Sequence, residues 1–309
     1  MTPIASQSHK PMVGSGDRIF AGLSRAAAII VVAILGAVGF FLLWQSIPAF
    51  TATPGQASLL SGNFIAYASP LLFGTLWAAF LALLFSLPLA IAVALFLTNY
   101  APARLRTPLG FTVDLLAAVP SVVYGLWGIA VLAPALRPVY VWLNQKLGWF
   151  PLFGGTVSGT GRTILTAGLV LAVMILPLMT ALIREVFLQS PVTVREGALA
   201  LGATRWEMIR LAVLPPAKGP IVSAAMLGLG RALGETMAVA MVLSATGTVT
   251  LDLLTSENPS TIAANIALSF PEAFGRNINV LIATGLILFV TTFAVNALAR
   301  KLLAKERKQ

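Results

Sequence analysis

Residues 193–216 have the sequence TVREGALALGATRWEMIRLAVLPP, a charged segment between two long apolar runs. It contains two S/T-x-x-E capping boxes, Thr193 with Glu196 and Thr204 with Glu207. In such a box the two side chains satisfy backbone donors at the start of a helix. The segment therefore predicts two short helices, each beginning at its own box.

The residues between and after these helices predict how the chain turns. Gly202 lies between the two helices, where a left-handed helix terminator is expected. Pro215 and Pro216 should stop the second helix, because proline lacks a backbone donor and restricts the residue before it. We therefore predict a helix–Gly–helix hairpin on the face of a membrane.

The composition is that of a polytopic membrane protein. Of 309 residues 58% are hydrophobic and 10% are charged, and the mean hydropathy is +0.92. This is more apolar surface than a soluble fold of this size can bury. Six segments meet the requirement of about 20 mostly apolar residues for a spanning helix. They are residues 25–47, 70–98, 108–133, 163–188, 217–246 and 277–298.

The placement of basic residues explains the net charge of +10. With the amino terminus inside, most of the 20 Lys and Arg residues lie on the inner side. The outer loops hold only Arg137, Lys146, Arg162 and Arg276. This asymmetry is the positive-inside pattern, which predicts that both termini and the hairpin are cytoplasmic. The charge requires no nucleic acid.

Several kinds of active site are excluded by residues that are missing. The chain has no cysteine, and the single His9 lies in a polar amino-terminal segment, so we expect no metal site. No G-x-x-x-x-G-K-[ST] sequence is present, and no catalytic triad or carboxylate pair can be assembled. Gly228, Gly230 and Gly234 depart from dinucleotide-binding spacing and favour close helix packing. We therefore expect no enzymatic activity and no cofactor in this chain.

Arg231 and Glu235 are placed by the sequence near the middle of the fifth predicted span. An ionisable side chain at that depth costs about 3 kcal/mol on insertion scales. Their i, i+4 spacing allows an intrahelical ion pair that only orients the helix. A guanidinium in a membrane also suits an oxyanion such as phosphate, and we favour an anion path.

Weaker polar candidates lie near the same depth. Ser121 and Tyr124 follow Pro120, and Thr236 follows Glu235. A helix broken at proline would expose hydroxyls and backbone amides to the path. Hydroxyls in membrane helices nevertheless more often bond their own backbone or a neighbouring helix. Prolines 88, 120 and 177 should each kink a span.

The hairpin resembles the EAA signature, E-A-A-x3-G-x9-I-x-L-P, of permease subunits of ATP-binding-cassette (ABC) importers. Matching positions are Glu196, Ala198, Gly202, Leu214 and Pro215, whereas Gly197 and Ala212 depart from the signature. The resemblance implies that a pair of coupling helices, Gly197 included, docks into a groove on a separate ATPase. A separate ATPase would explain the missing nucleotide-binding sequence.

Two further stretches resemble the phosphate-specific transport permeases. They are GLGRALGETMAVAMV at 228–242 and LLAAVPSVVYGLWG at 115–128. The second, with the apolar run before it, is more similar to the C subunit (PstC) than to the A subunit. This resemblance implies that Arg231 and Glu235 match charged positions linked to phosphate passage.

The resemblance also implies an architecture and an assembly. We expect an all-α, six-span permease of the type I ABC importer kind in the bacterial inner membrane. A polar, disordered tail is expected at 1–24, the permease domain at 25–300 with the coupling hairpin at 193–215, and a basic tail at 301–309. The expected partners are a second permease subunit, an ATPase dimer that binds ATP and Mg, and an extracytoplasmic phosphate-binding protein.

Three other functions stay open on the sequence. The chain could belong to an importer of another oxyanion, such as sulfate or molybdate. It could be a secondary transporter or channel that needs no ATPase. It could also be a membrane scaffold in which Arg231 and Glu235 serve only packing.

Overall fold

The computed structural model describes residues 15–60 and 62–306, and these residues form helices and no β-strand. Six of the helical segments are long and apolar enough to cross a membrane. They are Gly16–Phe50, Phe64–Tyr100, Ser121–Leu147, Ile164–Leu188, Arg205–Leu233 and Arg276–Lys301. The predicted all-α fold with six spans is therefore confirmed.

Twelve α-helices make up these spans and their connections in the described part of the chain. They are α1 (Ser15–Phe50), α2 (Phe64–Leu95), α3 (Ala103–Ala117), α4 (Ser121–Trp127), α5 (Ala133–Leu147), α6 (Ile164–Leu188), α7 (Val192–Ala200), α8 (Arg205–Met208), α9 (Leu214–Leu233), α10 (Met237–Val242), α11 (Ile262–Ser269) and α12 (Arg276–Glu306). Three π-helical turns, Phe96–Tyr100, Gly128–Leu132 and Ile209–Val213, continue or join these helices.

The main core lies around α6, which packs along α2 and against α9. Close approach depends on small residues, since a Cβ at Gly168 would stand 2.8 Å from the Leu81 Cβ. Ala78, Ala79 and Ala82 of α2 are also fully buried. Small residues at helix contacts are typical of membrane bundles, where van der Waals packing replaces the hydrophobic effect between helices.

A second, smaller core joins α1 to α12. Ala49 at the end of α1 and Val280 and Ala283 of α12 are fully buried there. Most of the large apolar side chains of α1 are exposed instead. This exposure fits a helix at the periphery of the bundle that faces lipid or another subunit.

The predicted bounds of the third span are wrong. Residues 103–117 form the separate helix α3, and the third span extends from Ser121 to Leu147. Pro120 separates the two, because proline disfavours helical backbone at the residue before it. Pro134 and Pro138 do not end the span: Pro134 lies in the first turn of α5, where a missing N–H is tolerated, and the helix continues through Pro138.

The fifth span also differs from the predicted 217–246. It begins at Arg205, within the hairpin, and ends at Leu233, where Gly234 is the carboxyl-terminal cap of α9. A short helix, α10, follows after a break of three residues. The Gly-rich sequence near 230 explains the break, because glycine is about 1 kcal/mol less favourable than alanine within a helix.

The termini can be compared with the prediction only in part. Residues 1–14, with His9, and residues 307–309 lie outside the described residues. Residues 15–24 belong to α1, so that part of the predicted disordered tail is helical. Residues 301–306 continue α12. The short helix α11 lies between α10 and α12, and the hydroxyl of its cap residue Thr261 accepts a hydrogen bond from Ala264 N at 3.3 Å.

Candidate functional site

Arg231 lies in the last turn of α9, with Glu235 just beyond the helix. The ion pair allowed by their spacing does not form, because the helix ends at Leu233 and the i, i+4 geometry is lost. An ion pair forms instead between Arg184 and Asp114, at 3.3 Å. The Arg231 guanidinium is exposed and donates no hydrogen bond to a described residue.

Glu235 instead caps the beginning of α10. One of its carboxylate oxygens, Oε1, accepts a hydrogen bond from the backbone N–H of Ala238 at 3.2 Å. Thr236 donates its hydroxyl proton to the carbonyl of Gly234 at 3.2 Å. The break between α9 and α10 therefore has its own hydrogen bonds, and both polar side chains are used to stabilise it.

Tyr124 and Ser121 lie on α4, which packs against α10. The Tyr124 hydroxyl donates to the Leu116 carbonyl at 2.8 Å, across the break at Pro120. Gly125 allows the close contact, since a Cβ there would stand 2.9 Å from the Ala238 Cα. The structure thus brings Tyr124 close to the capped start of α10, which follows the end of α9 that carries Arg231, and Ser121 is half-buried at the start of α4.

Arg231 faces an open cavity of about 680 Å³ between α6, α9 and α12. Its lining consists of Leu178, Ser223, Met226, Leu227, Gly230, Arg231, Asn296, Ala299 and Arg300. No acidic side chain is among these residues. Besides the Ser223 hydroxyl, the cavity therefore offers cationic and amide donors in an otherwise apolar lining.

The three glycines of the G-x-G-x-x-x-G sequence have different roles. A Cβ at Gly228 would stand 2.6 Å from Met179 Sδ on α6, so this glycine serves close helix packing as predicted. Gly230 has open space around it, and Gly234 caps α9. The packing interpretation therefore holds for Gly228 and not for the other two.

The hairpin has the predicted turn between its helices. Gly202 has φ of +87°, and its N–H bonds the Leu199 carbonyl at 3.0 Å. The Ala203 N–H bonds the Ala198 carbonyl at 3.2 Å, which completes a Schellman motif. The left-handed conformation predicted for this glycine is confirmed.

Only one of the two predicted capping boxes is present. Thr204 and Glu207 form a complete box at the start of α8. Thr193 forms none, because α7 begins at Val192 and the cap position is taken by Pro191, which has no side-chain hydrogen bond. The prediction for Thr193 was wrong by two positions, since proline, with φ fixed near −65°, can stand directly before a helix.

The prediction that Pro215 and Pro216 end the second hairpin helix is also wrong. The helix is continuous from Arg205 to Leu233. A π-helical turn at Ile209–Val213 precedes the prolines, and they occupy the first turn of α9, where a missing N–H is tolerated. The Ala212 carbonyl, which would have bonded the N–H that Pro216 lacks, accepts the Ser190 hydroxyl at 3.3 Å.

The two sides of the hairpin are buried to different extents. No residue of α7 is fully buried, and Glu196 and Gly197 are exposed, while Ala198 and Leu214 pack partly against the core. Arg195 joins α7 to the end of the second span by donating to Asn99 Oδ1 at 2.6 Å. The exposed apolar side chains are Val192, Val194, Leu199, Leu201, Trp206 and Leu211.

Sequence reasoning missed Asn258 and Arg162 at the other end of the bundle. Asn258 is fully buried, accepts from Ile164 N at 3.1 Å and donates to the carbonyls of Ser244 and Thr255. Arg162 donates to the carbonyls of Met241, at 3.0 Å, and Leu243. These bonds hold the outer loop, α6 and α10 together. For Asn258, the Asn258-Pro259 turn was a signal in the sequence that could have identified it.

Family comparison places the chain among transport permeases. Residues 86–308 match the model described as "Binding-protein-dependent transport system inner membrane component". The Phosphate transport system permease protein PstC 2 of Mycobacterium tuberculosis is 46% identical over 298 residues, covering 92% of this chain and 91% of the relative. The chain belongs to the PstC family of phosphate transport system permeases. It is a multi-pass membrane protein.

Other members of the PstC family cover a similar share of the chain. The PstC protein of Mesorhizobium japonicum is 39% identical over 301 residues, covering 94% of this chain and 90% of its own length. That of Pasteurella multocida is 38% identical over 302 residues, covering 95% and 93%. The family resemblance carried by the hairpin and by 228–242 is therefore confirmed.

Solved structures agree on the fold. A chain of the MetNI methionine ABC transporter in inward-facing conformations has a TM-score of 0.54 and 18% identity, over 75% of this chain and 92% of its own. A chain of a bacterial alginate ABC transporter in complex with a pentasaccharide-bound periplasmic protein has a TM-score of 0.56 and 16% identity, over 91% and 96%. At these identities the likeness concerns the fold alone, and it is that of an ABC importer permease.

The Gly202 turn of this PstC-family permease can be tested by making the same Gly→Ala substitution at two positions. Neither Gly202 nor Gly197 has an atom within 4 Å of an added Cβ, and only Gly202 has positive φ. Gly202→Ala should destabilise the hairpin by about 1–2 kcal/mol, whereas Gly197→Ala should stabilise α7. Amide hydrogen exchange at 198–204 should become faster in the first variant and slower in the second. Equal exchange in the two variants would contradict the assigned backbone strain.

Proposed function

We propose that this chain is the membrane permease subunit of an ABC importer that carries inorganic phosphate into the cytoplasm. The observation that supports it most is the high identity to PstC permeases across nearly the whole chain. The unpaired Arg231, which faces an open cavity without an acidic residue, fits an anionic cargo. The chain supplies the path, and it is not itself an enzyme.

In this proposal Arg231 is the principal anion ligand. Its guanidinium can bind two oxygens of one oxyanion through parallel charge-assisted hydrogen bonds. Glu235 holds the start of α10 in place beside it, rather than neutralising it. The break between α9 and α10 leaves the guanidinium at the end of a helix, where it can reach the path.

The hydroxyl groups are secondary members of the path. Tyr124 and Thr236 donate to backbone carbonyls in this conformation, so they can only accept from a protonated phosphate oxygen unless those bonds open. Ser121 makes no side-chain hydrogen bond to a described residue. We assign these three residues to the wall of the path and Arg231 to its specificity for anions.

The hairpin is the proposed contact with a separate ATPase dimer, whose subunits bind ATP and Mg. Its exposed apolar side chains, with Leu201 at 90% exposure, would be covered by a groove on that partner. Glu196, Gly197 and Ala198 of α7, the Gly202 turn, and Leu214 and Pro215 form the docking element. The basic residues near it favour a cytoplasmic location, with both termini on the same side of a bacterial inner membrane.

Two further partners complete the proposed importer. A second permease subunit would form a heterodimer with this chain, and an extracytoplasmic binding protein would deliver phosphate to the outer loops. The description of the matching family model as binding-protein-dependent supports the second of these.

Competition between anions tests the substrate. The complete importer, reconstituted in vesicles with ATP and its binding protein, should take up labelled phosphate in the presence of excess sulfate or molybdate. Inhibition of phosphate uptake by sulfate, with sulfate itself transported, would assign the other oxyanion. Uptake by this chain alone on an ion gradient would refute the ABC assignment.

Removal of the guanidinium tests the path. Arg231→Gln should lower phosphate uptake at least about tenfold, the factor expected when a charge-assisted hydrogen bond to the anion is lost. The control is Lys218→Gln, which removes an exposed cation from the same helix outside the cavity. Complex assembly should be unchanged in both variants. Normal uptake by Arg231→Gln would leave the arginine with a packing role only.

Substitution of the most exposed hairpin residue tests docking. Leu201→Ser removes apolar surface without touching the core, so it should weaken association with the ATPase by about tenfold or more. Leu251→Ser, in the outer loop, is the matched control. Copurification of the ATPase with each variant is the measurement. Undiminished copurification with Leu201→Ser would argue against the hairpin as the docking element.

A further inference from the structure

A second arginine faces the cavity that Arg231 lines. Arg300 lies on α12 near its carboxyl end, and Asn296 stands one helical turn before it. In the sequence Arg300 is one of the basic residues on the predicted inner side. The structure places it across the cavity from α9, beside residues of the proposed phosphate path.

The donors of this cavity have no acceptors of their own. Neither guanidinium forms an ion pair or hydrogen bond within the part of the chain that the structure describes, and the Asn296 amide also has no described partner. Ser223 differs, because its hydroxyl donates to the Gly219 carbonyl at 3.2 Å. The cavity thus presents two cations and one amide with free donor capacity.

The arrangement is costly without an anion. Two like charges on the wall of one open cavity repel each other, and no acidic side chain lines the cavity to offset them. An oxyanion between them would accept hydrogen bonds from both guanidinium groups and remove the repulsion. The cavity volume of about 680 Å³ far exceeds the roughly 30 Å³ that one water occupies in the liquid, so a hydrated anion has room.

We propose that Arg231 and Arg300, with the amide of Asn296, form a binding site for a phosphate-type oxyanion on the inner part of the path. The occupant is a tetrahedral phosphate group, supplied either by free phosphate on its way to the cytoplasm or by the headgroup of an anionic lipid. The first source rests on the proposed function and makes Arg300 the ligand that receives the anion after Arg231. The second source makes the same donors a lipid site.

The test compares Arg300→Gln with Lys301→Gln in the assembled importer. Lys301 is the adjacent exposed cation on the same helix and does not line the cavity. Labelled phosphate uptake is measured in vesicles of phosphatidylcholine alone and in vesicles that also contain phosphatidylglycerol. Phosphatidylglycerol retained by each purified complex is measured by mass spectrometry. Arg300→Lys shows whether a cation of another shape suffices.

The two sources give different results. If free phosphate occupies the site, Arg300→Gln lowers uptake about tenfold in both vesicle types, Arg300→Lys restores part of it, and lipid retention is unchanged. If a lipid headgroup occupies it, Arg300→Gln loses the retained phosphatidylglycerol and wild-type uptake depends on that lipid. If Arg300→Gln and Lys301→Gln show the same phosphate uptake and the same lipid retention, the proposal is overturned. Failure of the proposed function would appear separately, as absence of phosphate uptake by the wild-type importer.

Discussion

Backbone hydrogen bonding inside the membrane is the constraint on which this structure depends. A spanning helix must satisfy its own N–H and C=O groups, because lipid offers no substitute. Prolines within the spanning helices work against this requirement, since each lacks an N–H and crowds the carbonyl four residues before it. The positions of the π-helical turns follow from the hydrogen bonds that these prolines remove.

Each of the three π-helical turns in the described residues ends two positions before a proline. The turn at Phe96–Tyr100 precedes Pro102, that at Gly128–Leu132 precedes Pro134, and that at Ile209–Val213 precedes Pro215. In each case the residue just before the proline donates its backbone N–H to the carbonyl five positions back. At the third turn, for example, the Leu214 N–H bonds the Ile209 carbonyl. A wider turn therefore lets the last available donor be used before the proline interrupts the pattern. At the second and third of these sites the helix continues through the proline, and Ser190 satisfies one of the carbonyls left free at the third.

This mechanism explains which parts of the fold could be predicted from the sequence. The apolar runs predict the six spans. The Gly202 turn and the Thr204 capping box could also be predicted, because each depends on residues that are close together in the sequence. The predicted starts of the third and fifth spans were wrong, because we expected Pro215 to stop a helix and Pro120 only to kink one. Whether a proline ends a helix depends on the turn before it and on neighbours such as Ser190, which sequence spacing does not reveal. For the same reason the spacing of Arg231 and Glu235 suggested an ion pair, while the break at Gly234 prevents it.

The continuity of the helix through Pro215 has a mechanical meaning. The segment Arg205–Leu233 comprises 29 residues, which at 1.5 Å per residue is a rod about 43 Å long. Trp206 is exposed at one end of this rod and Arg231 lies in the last turn at the other. In the proposed importer, a displacement applied at the hairpin would be transmitted along this one helix, which contains the π-helical turn at Ile209–Val213. In that proposal the Arg231 guanidinium lies on the same helix that contacts the ATPase, so no chain of intermediate contacts would have to relay the motion.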